Sequence, residues 1–152
     1  MTAKPADTPT ATPIVDQHQS FTCTPQRVWD GDGPIWCAEG PKVRLAGIAA
    51  REMDGTCRAG HPCPPTSGFE ARNVLANALL GDPSRGSIAD APTGHLVLKG
   101  DVPSLTCVSE GSGKGSRTAA WCRSPAVGDL SCFMVRQKMA AKWDRYWRRH
   151  SC

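Results

Sequence analysis

Asp30 and Asp32 flank a glycine in Val28-Trp29-Asp30-Gly31-Asp32-Gly33, Arg44 lies inside the apolar run Val43-Arg44-Leu45-Ala46-Gly47-Ile48, and Glu52 follows that run closely. Carboxylates on a tight turn can hold a divalent cation or a water, and a guanidinium fixed in a strand can grip an anion. That combination suits phosphodiester chemistry. Such a reaction needs a nucleophilic water and fixed positive partners for the charge that builds on a five-coordinate phosphorus. Each piece alone also has an ordinary reading. Asp and Gly dominate hairpin turns, an arginine at a barrel rim snorkels, and Glu52 could be a solvated loop acid. The order of the pieces carries the argument.

The elements that must position them can be read from pattern. Residues 1–20, rich in Thr, Pro and Ala, form a polar lead expected to stay disordered, and the folded domain spans 21–152. Strands are predicted over 21–30, 34–38 and 42–48, the first two joined by the Asp-Gly-Asp-Gly turn. Gly47 suits a bend or a close backbone approach. Residues 52–67 read as a loop, and a helix follows over 67–80, with Ala71, Val74, Leu75, Ala78 and Leu79 on one face and Gly81 at its end. Residues 81–94 read as an exposed insertion. Further strands are predicted at 95–99, 104–108 and 117–122, with a glycine-serine loop at 110–116. A second helix is expected over 129–141. The whole is an α+β arrangement, a small closed or nearly closed β-barrel with two packed helices.

At these residues the chain resembles the staphylococcal nuclease-like, or thermonuclease, family. The Asp30-Gly31-Asp32 turn, the Arg44-Leu45-Ala46-Gly47-Ile48 strand, Glu52, Lys114-Gly115-Ser116-Arg117 and Val135-Arg136-Gln137-Lys138-Met139-Ala140 stand in the family's order over about residues 24–147. The resemblance implies a five-stranded OB-fold barrel and calcium-dependent hydrolysis of DNA and RNA. It implies Asp32 as a calcium ligand, with Asp30 as a further acid near the ion and the backbone carbonyl of Ala50 as another donor. Glu52 would orient or deprotonate the water, and Arg44 and Arg117 would hold the phosphate. Lys114, Arg51 and Tyr146 would contact the substrate.

The departures bear on the metal. Ala49 stands where the family carries a carboxylate, and Arg51 adds a cation next to Glu52. Calcium takes six to eight oxygens, several of them anionic, so its affinity should fall unless Asp30 or Asp54 moves in or Arg51 supplies part of the charge. Lys138 replaces a glycine past a helix end, which predicts that the helix runs on. The runner-up function is a catalytically degenerate OB-fold that binds nucleic acid or a protein without cleaving it. A P-loop reading of residues 111–116 fails, because a glycine should stand at Val108 and Lys114 should precede Ser or Thr.

Composition bounds the setting. The 152-residue chain fits one domain and carries a formal charge of +4, which allows a polyanionic partner without requiring one. Tail aromatics Trp143, Tyr146 and Trp147 alternate with arginines, as base-stacking groups or as barrel-sealing ones. Eight cysteines, evenly scattered, read as a disulfide framework. Spacing favours Cys23–Cys37, Cys57–Cys63, Cys107–Cys122 and Cys132–Cys152. Zinc on Cys57, His61 and Cys63 is the competing reading, without a paired CxxC to complete it. The expectation is a secreted or periplasmic monomer whose export signal has been trimmed, with no membrane span.

Overall fold

The computed structural model describes residues 12–152. Eleven strands, two α-helices and one 3-10 turn make up the domain. The strands are β1 (Ser20–Cys23), β2 (Pro25–Asp30), β3 (Gly33–Cys37), β4 (Lys42–Leu45), β5 (Ile48–Ala49), β6 (Gly86–Asp90), β7 (Leu96–Gly100), β8 (Leu105–Ser112), β9 (Thr118–Ser124), β10 (Gly128–Asp129) and β11 (Ala141–Lys142). The helices are α1 (Gly68–Leu80) and α2 (Leu130–Arg136). Nine strands form one sheet in the order β1-β8-β9-β4-β3-β2-β7-β6, with β10 added to β9, while β5 and β11 pair separately. All pairings are antiparallel except β4 with β9.

The α+β class with two helices is as expected, but the five-stranded closed barrel is not what forms. The sheet is larger, and β1 and β6 end its hydrogen-bonded path without pairing to each other. Part of the extra width comes from 86–90, predicted as an exposed insertion and found as a strand hydrogen-bonded to β7. Its Gly-Ser-Ile-Ala-Asp sequence has too little alternation to announce a strand, and β7 supplies the pairing that the sequence does not encode. The predicted strand 21–30 divides at Thr24 into β1 and β2, which serve different partners: β1 pairs with β8, and β2 with β3 and β7.

Residues 1–11 of the polar lead lie outside the described residues, and the segment after them is not free chain. The Val15 amide donates to Thr118 Oγ1 at 3.1 Å, Ser109 Oγ donates to the Val15 carbonyl at 2.7 Å, and the His18 amide donates to the Ser109 carbonyl. These bonds are long-range, so composition could not reveal them.

The core fills the space between sheet and helices with Val28, Ile35, Val43, Leu45, Ile48, Leu75, Leu79, Leu105, Leu130 and Met134, all essentially sealed from solvent. Helix α1 begins where its cap allows, with Ser67 Oγ accepting from the Glu70 amide at 3.2 Å, and Gly81 ends it. Helix α2 is shorter than predicted. It stops at Arg136 although Lys138 is not glycine. Lys138 takes the left-handed φ of 61°, and its amide and that of Met139 donate to the Val135 and Met134 carbonyls. This is a Schellman ending with lysine in the glycine position, and Thr66 Oγ1 donates to the Lys138 carbonyl from outside at 2.6 Å. Tertiary contacts thus end a helix that the sequence alone would extend.

All four expected cysteine pairs are disulfides, which excludes zinc on Cys57, His61 and Cys63. Four disulfides fit an oxidising compartment. Among the described residues, no helix is long and apolar enough to cross a membrane.

Candidate active site

The β2–β3 turn sets the acids. Gly31 packs so tightly that a Cβ there would meet the Ala71 Cβ at 2.6 Å and the Ala50 Cβ at 2.9 Å. Helix α1 therefore braces the turn from behind and holds Asp30 and Asp32 in a fixed relation. Asp30 is 4% exposed, whereas Asp32 faces partly outward. The Asp32 amide donates to Asp30 Oδ1 at 3.2 Å, and Asp32 Oδ2 accepts from the Ala50 amide at 2.9 Å.

Arg44 rises from β4 beside them. Its guanidinium donates to the carbonyls of Leu45 at 2.6 Å and Ile48 at 2.7 Å and reaches Asp32 Oδ2 at 3.4 Å. Two backbone anchors and one carboxylate fix the fork, so it is preorganised rather than a snorkelling side chain. Glu52 is placed by the start of α1. A Cβ on Gly68 would lie 2.3 Å from the Glu52 carbonyl oxygen, so only glycine lets the helix approach this backbone. Arg58 stands 4.0 Å from Glu52 Oε1.

Asp32, Arg44, Glu52 and Arg117 all line one cavity of about 570 Å³, together with Asp30, Lys114 and Tyr146. Arg117 enters from the start of the β9 arm, where its carbonyl accepts from the Gly113 amide at 2.7 Å. Four separate stretches of chain thus converge.

Two expected contributors stay away from the cavity. Arg51 turns into the 52–67 loop, donating through Nε to the Pro64 carbonyl at 2.7 Å and through Nη1 to the Gly55 carbonyl at 2.8 Å. Two of its five N–H donors are thus held by loop carbonyls, and Arg51 is not among the residues lining the cavity. The Ala50 amide donates to Asp32 Oδ2, and Ala50 is not among the residues lining the cavity.

Arg58, His61 and Trp143 also line the cavity, without being among the expected site residues. Arg58 and His61 come from the loop tied by Cys57–Cys63, and Trp143 closes the wall beside them. The His61 ring lies 4.5 Å from that of Trp143, and Trp143 meets Tyr146 edge-on at 5.1 Å. Burial, with the positive charges of Arg44 and Arg58 nearby, lowers the His61 pKa and keeps the imidazole neutral. For Arg58 and His61 the signal in the sequence is the pair of cysteines bracketing them, and for Trp143 it is the run of tail aromatics. The other aromatics divide their work: the Gly47 carbonyl accepts from Trp147 Nε1 and from the Trp143 amide, each at 2.7 Å. Gly47, at φ 76°, makes the close approach expected of it.

Asp30 is the site's most perturbed group. Burial, and then the negative charge of Asp32, push its pKa from 3.8 to about 9. At neutral pH the folded protein therefore holds a proton that the unfolded chain has released. The stability present below 3.8 is lost progressively as pH rises toward about 9. Asp30→Asn removes that dependence. It is expected to be more stable than the parent by roughly 1–3 kcal/mol near pH 8 and to lose the advantage below about pH 4, as read by urea unfolding across that range.

The donor set fits a hard divalent cation in a restricted way. Asp32, Asp30 once its proton is displaced, and Glu52 line the cavity with Glu110, which accepts from Trp121 Nε1, whereas Ala49 is fully buried and does not line it. Such a set suits an ion that keeps several waters and takes further oxygens from a phosphate. A second grouping, Asp129, Cys132 and His150, is no metal site. Cys132 is bonded to Cys152, and His150 Nε2 is satisfied by Asp129 Oδ2 at 2.6 Å while stacking on Trp121 at 3.6 Å.

Compared with protein-family models, curated proteins and solved structures, the chain matches none. Its function therefore has to be argued from the cavity itself.

Proposed function

We propose that this chain is an exported, thermonuclease-like phosphodiesterase that hydrolyses DNA or RNA. The observation carrying the reading is that Asp32, Glu52, Arg44 and Arg117 line a single cavity, since acids and fixed guanidiniums must share one enclosure to act on one phosphate. Glu52 and the neutral imidazole of His61 are the proton acceptors available to a water there. Arg44 and Arg117 stabilise the oxyanion, with Arg44 held in place before substrate arrives. Lys114 and Tyr146 sit at the rim, suited to flanking phosphate and base. A divalent cation, calcium in the resembled family, supplies Lewis-acid stabilisation of the phosphate when bound.

The strand path supports an OB-like ancestry for the scaffold. Without the β6–β7 hairpin it runs β2-β3-β4-β9-β8-β1, and β1 leads into β2 through the single residue Thr24. The sole parallel pair, β4 with β9, falls inside that path. Secretion or periplasmic residence is the setting that agrees with four disulfides.

The test is to incubate the protein with labelled DNA and RNA in calcium, in other divalent ions and in excess chelator. Cleavage is expected with at least one divalent ion and is expected to fall to background in chelator, because Arg51 is committed elsewhere. Salt-sensitive binding without cleavage in any ion would instead establish the degenerate, binding-only reading.

A further inference from the structure

We infer that the groove adjoining the active-site cavity is a second nucleic-acid subsite, which holds the neighbouring nucleotide of a single strand by a stacked base and a paired phosphate. This rests on the function proposed above and adds to it a substrate form, an unpaired strand longer than one nucleotide.

The groove encloses about 580 Å³ and shares Trp29, Arg58, Lys114 and Arg117 with the first cavity, so a chain leaving one enters the other. Its own contribution is Trp36, Lys42 and His95. The two spaces differ in charge. The first holds carboxylates, whereas no carboxylate lines the groove, where Lys42, Arg58, Lys114 and Arg117 gather. Arg58 is paired with Glu52 of the first cavity, and the remaining cations leave the groove positive, which matches a polyanion. Without a carboxylate it gives a hard cation no anionic ligand, so its work is binding rather than hydrolysis.

The aromatic groups are arranged for stacking. His95 meets Trp36 edge-on at 4.5 Å and leans on Trp29 at 5.0 Å. Thr93 Oγ1 fixes His95 through its Nδ1 at 2.7 Å, and burial, then Arg27, lowers its pKa, leaving a neutral ring. Trp36 alternates outward from β3 while Ile35 enters the core, so Trp36 is half-buried where a core role would seal it. Arg27 and Lys42 lie over its ring, 5.7 and 5.8 Å from the centroid, as mobile side chains that a base can displace toward its phosphates. An ordered aromatic plate accompanied by cations is a means by which proteins bind unpaired bases without reading sequence. A duplex keeps its bases in the stack and cannot offer one to the plate.

The test uses Glu52→Gln protein with calcium, so that ligands survive, and two probes. A nucleoside 3′,5′-bisphosphate fills the cavity only, and an oligothymidylate about eight nucleotides long also reaches the groove. Adding Trp36→Ala is expected to weaken the oligomer roughly 5- to 150-fold and to leave the bisphosphate within about twofold. Lys42→Gln, at a partly exposed position that does not threaten folding, is expected to lower the salt dependence of oligomer binding by roughly one phosphate contact, about 0.7 in log–log slope. Unchanged oligomer affinity in Trp36→Ala, or an unchanged slope in Lys42→Gln, overturns the subsite while bisphosphate binding keeps the cavity reading intact. If Trp36→Ala loses both probes together, the Lys42→Gln slope decides. If the parent binds neither probe, the proposed function fails and the subsite with it.

Discussion

Glu52→Gln and Arg117→Ala are each expected to lower phosphodiester cleavage by about 10²- to 10⁴-fold while the protein stays folded. Glu52 is half-exposed, with a single ion pair to Arg58, and Arg117 contributes to the fold mainly through its carbonyl. Removing either side chain therefore leaves the core untouched. The glutamine keeps the size and hydrogen-bonding capacity of Glu52 but cannot accept a proton from water. The alanine deletes one of the two guanidiniums that face the developing oxyanion. Arg44→Ala is a poorer test, because Arg44 also ties the Leu45 and Ile48 carbonyls together and its loss would disturb β4 and β5. Single-turnover cleavage assays, paired with circular dichroism and thermal unfolding, separate the two effects. A variant of Glu52 or Arg117 that folds normally and cleaves at the parental rate would remove that residue from the mechanism.

Full reduction is expected to unfold the protein near 25 °C. The bridges close sequence separations of 14, 6, 15 and 20 residues. A bridge of the longer kind contributes roughly 2–4 kcal/mol, and a domain of this size has about 5–15 kcal/mol in all. Losing three such bridges removes most of that margin. The fourth behaves differently. Cys57–Cys63 closes a short loop, and Cys57 is far less buried than Cys23 or Cys107. Cys57→Ser with Cys63→Ser is expected to leave the unfolding midpoint within a few degrees and to slow cleavage, because the loop it ties carries Arg58 and His61 into the cavity. Urea unfolding with and without reductant, beside activity of the double variant, checks both statements. A reduced chain with native tryptophan fluorescence would show that packing alone sustains the fold.

Much of the scaffold was legible because it is local. Ser67 and Gly81 delimit α1 by capping chemistry that acts within a turn or two. The Asp-Gly-Asp-Gly stretch makes its hairpin for the same reason, and Cys107 and Cys122 pair because the neighbouring strands β8 and β9 set them opposite one another. Errors fell where distant contacts decide. Lys138 ends α2 in a conformation it disfavours because the next residues must return to pair β11 with β5. The strand at 86–90 exists because β7 offers an edge.

The candidate site divides along the same line. Residue types and order established that acids and arginines suited to a phosphate occur in this chain, and no folding detail could change their chemistry. Their roles depend on where side chains end. Arg51 looked available from its position beside Glu52, yet loop carbonyls capture it. Arg58 and His61 looked incidental, yet a disulfide folds their loop back over the acids. Hydrogen-bond partners supplied from far along the chain fix a side chain's direction, and those partners exist only once the tertiary structure has formed.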